Sequence, residues 1–249
     1  MTSIHPNPPH LSSISAVFPA FNDGGTIPSM VLTALMALRQ VTDDYEVIVT
    51  EDGSSDYTTQ VLDEMCNRYP ELRLILHERN LGYGAALRSG FSAASKEWIF
   101  YTDGDAQYNP LELVNLVAAV RQDVDIVNGY QITRHDPLER RIIGHIYNFL
   151  VKCAFGLKLR DVDCDFRLIR RKRLQELDLE SNTGTLPLEL VKKLEDAGCT
   201  FVEVPVHHYF RRYGVSQFFN WRRLYATGIH LAQLWWKLVI RKDHLRPRN

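Results

Sequence analysis

The amino-acid sequence alternates short apolar segments, rich in β-branched residues, with longer segments whose apolar residues recur at helical spacing. The short segments cover residues 14–21, 46–50, 73–77, 98–102 and 125–128. The longer segments cover residues 26–39, 58–69, 84–94 and 111–121. Strands that alternate with helices in this way pack as a mostly parallel sheet with helices on both faces. We therefore predict an α/β fold with a largely parallel, doubly wound sheet.

Three of the predicted strands end in polar segments that contain acidic residues. Residues 21–23 read FND, residues 51–56 read EDGSSD, and residues 103–105 read DGD. In an open α/β sheet, ligands bind just beyond the carboxyl ends of the strands. We therefore expect acidic side chains to converge on one edge of the sheet and to form a binding site there.

The DGD segment places two carboxylates one residue apart, directly after a strand that is predicted to be buried. Two anions that close repel each other and lose hydration, so the arrangement is costly unless a cation or several donors satisfy both. A metal ion is the simplest partner for Asp103 and Asp105. The alternative is a solvated turn or a helix cap, because Asp-Gly and the nearby Asn-Pro are also turn signals.

Composition argues against several classes of protein. A formal net charge of -1 disfavours a general nucleic-acid binder, although Arg and Lys gather in the second half of the chain. The four cysteines lack metal-ligand spacing, which predicts reduced thiols in a cytosolic protein. Residues 1–13 have the composition of a flexible tail, not of a signal peptide. No apolar segment reaches the roughly 18–20 residues of a membrane span.

Two segments in the second half are more apolar than one core-facing helix requires. Residues 142–157 are apolar around most of a helix circumference, which fits either burial by protein on two sides or a helix that partly faces lipid or a lipid substrate. Residues 222–242 combine Leu, Ile and Trp with flanking Arg and Lys. That pattern fits either an interfacial helix on a membrane or a helix that caps the core and ends in a basic tail.

Six motifs occur in an order that resembles a known family. They read FPAFND, VTEDGSSD, RNLGYGAALRSGF, YTDGDAQYNP, DVDCDFRLIRR and EVPVHHYFRRYGVSQF. Together they resemble the inverting glycosyltransferases of family 2 with the GT-A fold, and among these the polyprenyl-phosphate sugar transferases similar to dolichol-phosphate mannose synthase. The resemblance covers residues 14–220. It implies transfer of a sugar from a nucleotide-diphosphate sugar to a polyprenyl phosphate, with inversion at the anomeric carbon.

The resemblance assigns the cation and the nucleotide to particular residues. It implies that Asp103 and Asp105, assisted by Gln107, hold Mg²⁺ or Mn²⁺ against the diphosphate of the donor. Hard divalent cations prefer carboxylate and phosphate oxygens, which agrees with this assignment. Asp23 and Asp52 match positions that contact the base and the ribose of the nucleotide.

Two further motifs are implied to contact the donor. Asn80 and Gly82 match a loop in which small residues let the backbone approach the donor, and an ordinary strand-to-helix turn is the alternative. Arg211 opens an R-x-x-G-x-S pattern that Gly214 and Ser216 complete. A guanidinium there is expected to bind phosphate oxygens and to offset the charge on the leaving group.

The motif DVDCDFRLIRR contributes the candidates for contact with the acceptor. Asp161 and Asp163 match acidic positions that face the acceptor, and Asp165 replaces a residue that is usually small in the family. Asp163 is the expected catalytic residue of this set. A saccharide hydroxyl as acceptor would require a carboxylate base, for which Asp163 and Asp165 are the candidates. A polyprenyl phosphate needs no strong base, because its second pKa is about 6.

These inferences define the expected organisation of the protein. Residues 1–13 are expected to be a flexible tail, residues 14–220 a GT-A catalytic domain, and residues 221–249 an amphipathic helix with a basic tail. The expected partners are the sugar nucleotide, the lipid phosphate, and a membrane surface or a membrane partner protein, with no nucleic acid. The expected location is the cytoplasm, peripheral on the cytoplasmic face of a membrane. A transferase acting on a saccharide hydroxyl and a non-catalytic nucleotide-sugar-binding subunit remain as alternatives.

Overall fold

The computed structural model of the chain describes residues 10–134, 138–210 and 221–246. Side chains within these ranges are described except at positions 133–134, 138–143, 145 and 221–224. Arg211, Gly214 and Ser216, which the sequence predicts to bind the donor, lie outside the described residues.

Seven strands form one sheet in the centre of the described structure. In chain order they are β1 (Ile14–Ala20), β2 (Tyr45–Glu51), β3 (Leu72–Leu76), β4 (Trp98–Thr102), β5 (Ile126–Arg134), β6 (Phe166–Arg170) and β7 (Phe201–His208). Their order in space is β3-β2-β1-β4-β6-β5-β7. Strand β6 runs antiparallel to both of its neighbours, whereas the other strand pairs are parallel. The predicted, largely parallel α/β sheet is thus confirmed.

Helices cover both faces of this sheet. They are α1 (Ile27–Val41), α2 (Thr58–Cys66), α3 (Tyr83–Ala93), α4 (Leu113–Ala118), α5 (Leu138–Phe155), α6 (Arg171–Gln175), α7 (Leu186–Asp196) and α8 (Trp221–Trp235). Helices α1, α2 and α4 pack in the apolar cluster on one face, and α3, α6 and α7 pack in the cluster on the other. Alternate residues of β1, β2 and β4 enter the two clusters, as the period of a strand requires.

The helix predicted over residues 111–121 begins as expected but ends earlier. A 3₁₀ turn at Pro110–Glu112 precedes α4, and the Asn109 side chain caps it by accepting the backbone N–H of Leu111 (3.1 Å). The predicted end is wrong, because the N–H of Val120 bonds three residues back and the chain then turns towards β5.

The C-terminal helix α8 packs against α5 and α7. Val151 and Phe155 of α5 share an apolar cluster with Leu234 of α8, and Trp235 Nε1 donates to the backbone oxygen of Ala154 (2.8 Å). Helix α8 therefore caps the core on one of its faces. Within the described residues, no helix has both the length and the apolar character needed to cross a bilayer.

Glu46 at the start of β2 ties several neighbouring segments together. Its Oε1 accepts hydrogen bonds from the Ser15 hydroxyl of β1 (2.7 Å) and from the backbone N–H of Ser95 (2.8 Å). Its Oε2 accepts from Arg73 of β3 (2.6 Å). Although burial opposes ionisation, these donors together lower the pKa of Glu46 to about 2.

We expect Glu46→Gln to lower the free energy of unfolding at pH 7 by about 1–3 kcal/mol, because the folded carboxylate is more acidic than the unfolded one. Since the folded pKa is the lower one, this contribution is complete above the unfolded pKa of about 4.5 and fades as pH falls towards 2. Urea denaturation of both proteins between pH 7 and pH 3 measures it. The exposed control Glu64→Gln should have little effect. A Glu46→Gln difference that stayed constant over this range would contradict the assignment.

Candidate active site

The carboxyl ends of β1, β2 and β4 and the start of β6 meet at one edge of the sheet around a cleft of about 670 Å³. Carboxylates from each of these strand ends line it: Asp23, Asp52, Asp103, Asp105 and Asp165. The cleft is thus acidic and lies where an open α/β sheet binds its ligands.

The loops after β1 and β2 are bonded to each other at this edge. The Asn22 side-chain oxygen accepts the backbone N–H groups of Ser55 (2.8 Å) and Asp56 (3.3 Å). Asn22 has a positive φ of 56°, which Asn tolerates better than most residues. The next residue, Asp23, is buried and lines the cleft, and its Oδ2 accepts the backbone N–H of Phe21 (3.1 Å).

The buried carboxylate of Asp52, which follows β2, connects this strand to the loop before α3 through hydrogen bonds. Its Oδ1 accepts the backbone N–H of Leu81 (2.9 Å), and its Oδ2 accepts that of Gly82 (2.9 Å). The His77 side chain is 8% exposed; its Nδ1 lies 2.6 Å from Asp52 Oδ1, and its Nε2 lies 2.9 Å from the Ser89 hydroxyl. Most of the hydrogen-bonding capacity of Asp52 therefore holds the loop, although its side chain also lines the cleft.

Glycine is required in that loop by the close approach of residues 181–184. Gly82 has a φ of 102°, and a Cβ there would overlap the backbone oxygen of Asn182. A Cβ at Gly84 would overlap the backbone oxygen of Ser181, and the Gly84 N–H donates to Asn182 O (3.0 Å). The two segments form one wall of the cleft, since Asn80, Gly82 and Asn182 all line it.

The antiparallel pairing of β4 with β6 brings a third carboxylate to the DGD segment. Thr102 pairs with Phe166. Because the two strands are antiparallel, Asp103, which follows Thr102, lies beside Asp165, which precedes Phe166. The Tyr83 hydroxyl lies between them, 2.6 Å from Asp103 Oδ1 and 3.1 Å from Asp165 Oδ2. Tyr83 thereby fixes the spacing of the two carboxylates.

The fully buried guanidinium of Arg167 on β6 bonds Asp165 and side chains of the two neighbouring strands. Arg167 donates through Nη1 to Asp165 Oδ1 (2.9 Å) and to the hydroxyl of Tyr101 on β4. Its Nε donates to Asn128 Oδ1 on β5 (2.6 Å), and its Nη2 donates to the backbone oxygen of Val162 (2.7 Å). Tyr101 and Asn128 are its register partners on either side, so the three side chains lie in a row on one face of the sheet.

The electrostatics of the cleft fit a divalent cation. Burial, together with repulsion from Asp165 and Asp105, raises the pKa of Asp103 well above its usual range. Burial also raises the pKa of Asp165, and Arg167 opposes that shift. A cation beside Asp103 and Asp105 would offset the repulsion, and carboxylate oxygens are the ligands that Mg²⁺ and Mn²⁺ prefer. No group of three His, Cys, Asp or Glu side chains in the described chain could hold such an ion alone.

Other predicted site residues lie outside this cluster. Gln107 is not among the residues that line the cleft, and its Nε2 donates to the backbone oxygen of Tyr209 (3.3 Å). Asp163 has an exposed side chain and does not line the cleft either, although Asp165 does. Asp161 is buried, and its Oδ1 accepts the Asp163 N–H (3.1 Å). The roles assigned to Gln107 and Asp163 stay predictions.

Four residues that sequence reasoning did not single out belong to the site or support it. His77 bonds Asp52, Tyr83 bonds Asp103, Arg167 supports Asp165, and His230 of α8 lines the cleft. Tyr83 and Arg167 lie inside recognised motifs, so a closer reading of those motifs could have found them. His230 gives no signal of its own, because only the packing of α8 brings it to the cleft.

Comparison with known sequences identifies relatives. The profile described as Glycosyl transferase family 2 matches residues 15–178, more than half of the 249 residues. Undecaprenyl-phosphate 4-deoxy-4-formamido-L-arabinose transferases are 29% identical over 210 residues in Yersinia pestis (strain Pestoides F) and 28% identical over 214 residues in Photorhabdus laumondii. Each match covers 84% of this chain but 63% of the relative, so the chain spans less than two thirds of these relatives.

Solved structures show the same fold. Glucosyl-3-phosphoglycerate synthase from Mycobacterium tuberculosis, in complex with Mn²⁺, UDP and glucosyl-3-phosphoglycerate, has a TM-score of 0.69 at 19% identity over 96% of this chain and 82% of its own. A mannosyltransferase from Pyrobaculum calidifontis, in complex with GDP-mannose and Mn²⁺, has a TM-score of 0.63 at 18% identity over 85% of this chain and 61% of its own. These likenesses confirm the GT-A fold that the motifs predict.

We expect Arg167→Met to lower the free energy of unfolding by about 3–5 kcal/mol, because it leaves the Asp165 carboxylate without its cation. The double variant with Asp165→Asn should recover part of this loss, since it removes the uncompensated charge. Urea denaturation at pH 7 measures both, with the exposed Arg121→Met as the control. A loss below 1 kcal/mol in the single variant would contradict the role of Arg167.

Proposed function

Since the chain belongs to glycosyltransferase family 2, we propose that it transfers a sugar from a nucleotide-diphosphate sugar to a polyprenyl phosphate with the help of Mg²⁺ or Mn²⁺. The observation on which this depends is the acidic cleft with Asp103 and Asp105 at the end of β4. The names of the curated relatives support an undecaprenyl-type lipid phosphate as acceptor. The structures bound to UDP or GDP-mannose and Mn²⁺ support the donor and the cation.

Asp103 and Asp105 would hold the cation in this cleft. Once bound, it would supply positive charge that stabilises the departing nucleoside diphosphate. The Tyr83 hydroxyl donates to Asp103 and keeps it oriented. At the start of β6, Arg167 donates to Asp165 and holds that carboxylate in place. Because the described side chains alone provide no three-ligand set, the diphosphate oxygens would complete the coordination.

The remaining donor contacts follow from the loops around the cleft. Asp23 lies at the end of β1, where it can accept hydrogen bonds from the base or the ribose. Asp52 acts mainly by holding the loop with Asn80 and Gly82, whose backbone then approaches the donor. Arg211, which lies outside the described residues, would bind phosphate oxygens of the leaving group.

The acceptor phosphate needs little activation by the protein. Its second pKa is about 6, so the phosphate is largely dianionic near neutral pH and offers an anionic oxygen for attack. The protein has to hold that oxygen in line behind the anomeric carbon, and positioning of this kind can supply much of the rate. The product would be a lipid-phosphate sugar of inverted configuration.

Exposed apolar side chains support peripheral contact with a membrane. On α5, Ile146, Phe149 and Leu150 are 54%, 66% and 58% exposed. Tyr225 and Ile229 of α8 are exposed as well, and α8 also lines the cleft through His230. These side chains support a proposed peripheral contact of α5 and α8 with a membrane surface, from which a lipid phosphate would enter the cleft. The expected side of the membrane is the cytoplasmic one.

A saccharide hydroxyl is the second candidate acceptor. Asp165 is the observation that favours it, because this carboxylate lines the cleft and burial raises its pKa. A carboxylate of raised pKa is a better base for a hydroxyl proton.

The test is the release of nucleoside diphosphate by the purified protein with Mn²⁺, a panel of UDP and GDP sugars, and a short polyprenyl phosphate. We expect release that requires the lipid phosphate and that Asp105→Ala lowers by at least about a hundredfold, because the cation is lost. Asp123→Ala, at an exposed site, is the control. Release that requires only an added saccharide would favour the second candidate. Nucleotide binding without any release would favour a non-catalytic subunit.

We expect the double variant Phe149→Ser and Leu150→Ser to bind anionic lipid vesicles about ten- to a hundredfold more weakly, because each exposed side chain would bury apolar area in the bilayer. Vesicle sedimentation measures the binding. Met36→Ser with Leu76→Ser is the matched control, since these side chains are 58% and 55% exposed elsewhere on the molecule. Equal binding by all three proteins would remove α5 from the membrane contact.

A further inference from the structure

Asp165 is a carboxylate in the cleft for which sugar transfer to a lipid phosphate, as proposed, gives no contact with a substrate. It precedes β6 at the position that the register places beside Asp103, and it lines the cleft with 15% of its side chain exposed. A carboxylate at such a site is costly unless its charge is offset. Arg167 provides that offset from within the sheet, so Asp165 can stay anionic while it faces the cleft.

The two carboxylate oxygens of Asp165 differ in how many further hydrogen bonds they can accept. Oδ1 accepts from Arg167 Nη1 (2.9 Å) and from the Tyr101 hydroxyl (3.3 Å), which fills its ordinary capacity. Among the described residues, the donor to Oδ2 is the Tyr83 hydroxyl at 3.1 Å, and that hydroxyl makes its shorter bond to Asp103. Oδ2 therefore retains capacity for a further donor from the cleft.

A cation is not the expected partner for this oxygen. Asp103, Asp105 and Asp165 do not form a set that could hold a metal together, among the side chains that the structure describes. The charge of Asp165 is already offset by the guanidinium of Arg167. The remaining partner of Oδ2 is therefore a ligand group that carries a hydrogen.

Chemistry limits which part of the ligand can supply that hydrogen. Diphosphate oxygens and a dianionic lipid phosphate accept hydrogen bonds and have none to donate. The base and the ribose are expected near Asp23 and the loop that Asp52 holds. Beside the cation, the group that carries O–H or N–H donors is the sugar that is transferred.

The geometry points to Asp165 as a specificity-determining residue that accepts a hydrogen bond from a hydroxyl or amide of the transferred sugar. This inference rests on the proposed function, because it requires a sugar nucleotide in the cleft. A site built to accept such a hydrogen bond discriminates strongly against a sugar that lacks the group, since the buried carboxylate is then left unpaired. Arg167, in this arrangement, is a positioning residue.

The test measures binding without any acceptor. Calorimetry in the presence of Mn²⁺ compares UDP and GDP with UDP-glucose, UDP-N-acetylglucosamine and GDP-mannose on the full chain. We expect Asp165→Asn to weaken the best-bound sugar nucleotide about ten- to a hundredfold, the range of one hydrogen bond to a charged group. The matching nucleoside diphosphate should bind within about twofold of wild type. Asp123→Asn is the control for the lost charge.

A series of deoxy-sugar nucleotides identifies the group that Asp165 contacts. Removing that hydroxyl should weaken binding to the wild-type protein about as much as Asp165→Asn does, and should cost little in the variant. The series on the wild-type protein alone tests the inference even if the variant does not fold. The inference is overturned if removal of no single hydroxyl or amide group of the sugar weakens binding tenfold, or if Asp165→Asn weakens binding of nucleoside diphosphate as much as that of sugar nucleotide.

The outcomes separate this inference from the proposed function. Sugar-dependent binding through Asp165 without lipid-dependent release supports the inference and overturns the lipid acceptor. Failure of the wild-type protein to bind any of these sugar nucleotides overturns both. A normal affinity of Asp165→Asn for the sugar nucleotide, together with slow release, overturns the inference alone and assigns Asp165 to proton transfer.

Discussion

The cleft depends on one buried charge, the guanidinium of Arg167. It is fully buried, and its partners come from β4, β5 and the segment that leads into β6. Burying an ion costs several kcal/mol unless good geometry and further hydrogen bonds offset that cost. Here every nitrogen of the guanidinium has a partner, and one partner is the Asp165 carboxylate. The antiparallel strand β6 is thus bonded to both neighbours by side chains as well as by backbone, which fixes the register that places Asp165 beside Asp103.

The first half of the fold could be predicted from sequence because its signals are local. Strand β4 has the predicted bounds, and the bounds of β1 to β3 differ from the predicted ones by at most one residue at each end. The same holds for Asp103 and Asp105, since a DGD segment after a buried strand is visible without the fold. Strand β6 was not predicted, because its placement between β4 and β5 follows from pairing between distant segments and not from periodicity.

The same reason explains why the sequence could not choose among Asp161, Asp163 and Asp165. Alternation places all three on one side of an extended chain, so pattern alone gives them equal claims. The β4–β6 register puts Asp165 beside the cleft, whereas Asp163 remains exposed and Asp161 turns to backbone partners. A slip of one residue in that register would exchange the two faces of β6 and place Cys164 or Phe166 at the cleft instead. The departure from the family pattern at Asp165 therefore acquires a meaning only from the tertiary structure.

Contacts of different strength hold the wall of the cleft at residues 181–184. Lys237, after α8, forms an ion pair with Glu180, but these side chains are 38% and 52% exposed, and such pairs contribute about 0–1 kcal/mol. Gly82 and Gly84 instead let two backbone segments touch, and any side chain there would force them apart. The glycines and the Asp52 bonds to the same loop therefore help to set the position of this wall. Glu189 also holds it, by accepting the backbone N–H groups of Glu180 (3.1 Å) and Ser181 (2.8 Å). Arg88 donates to Glu180 O (3.1 Å) and to Asn182 Oδ1 (2.7 Å).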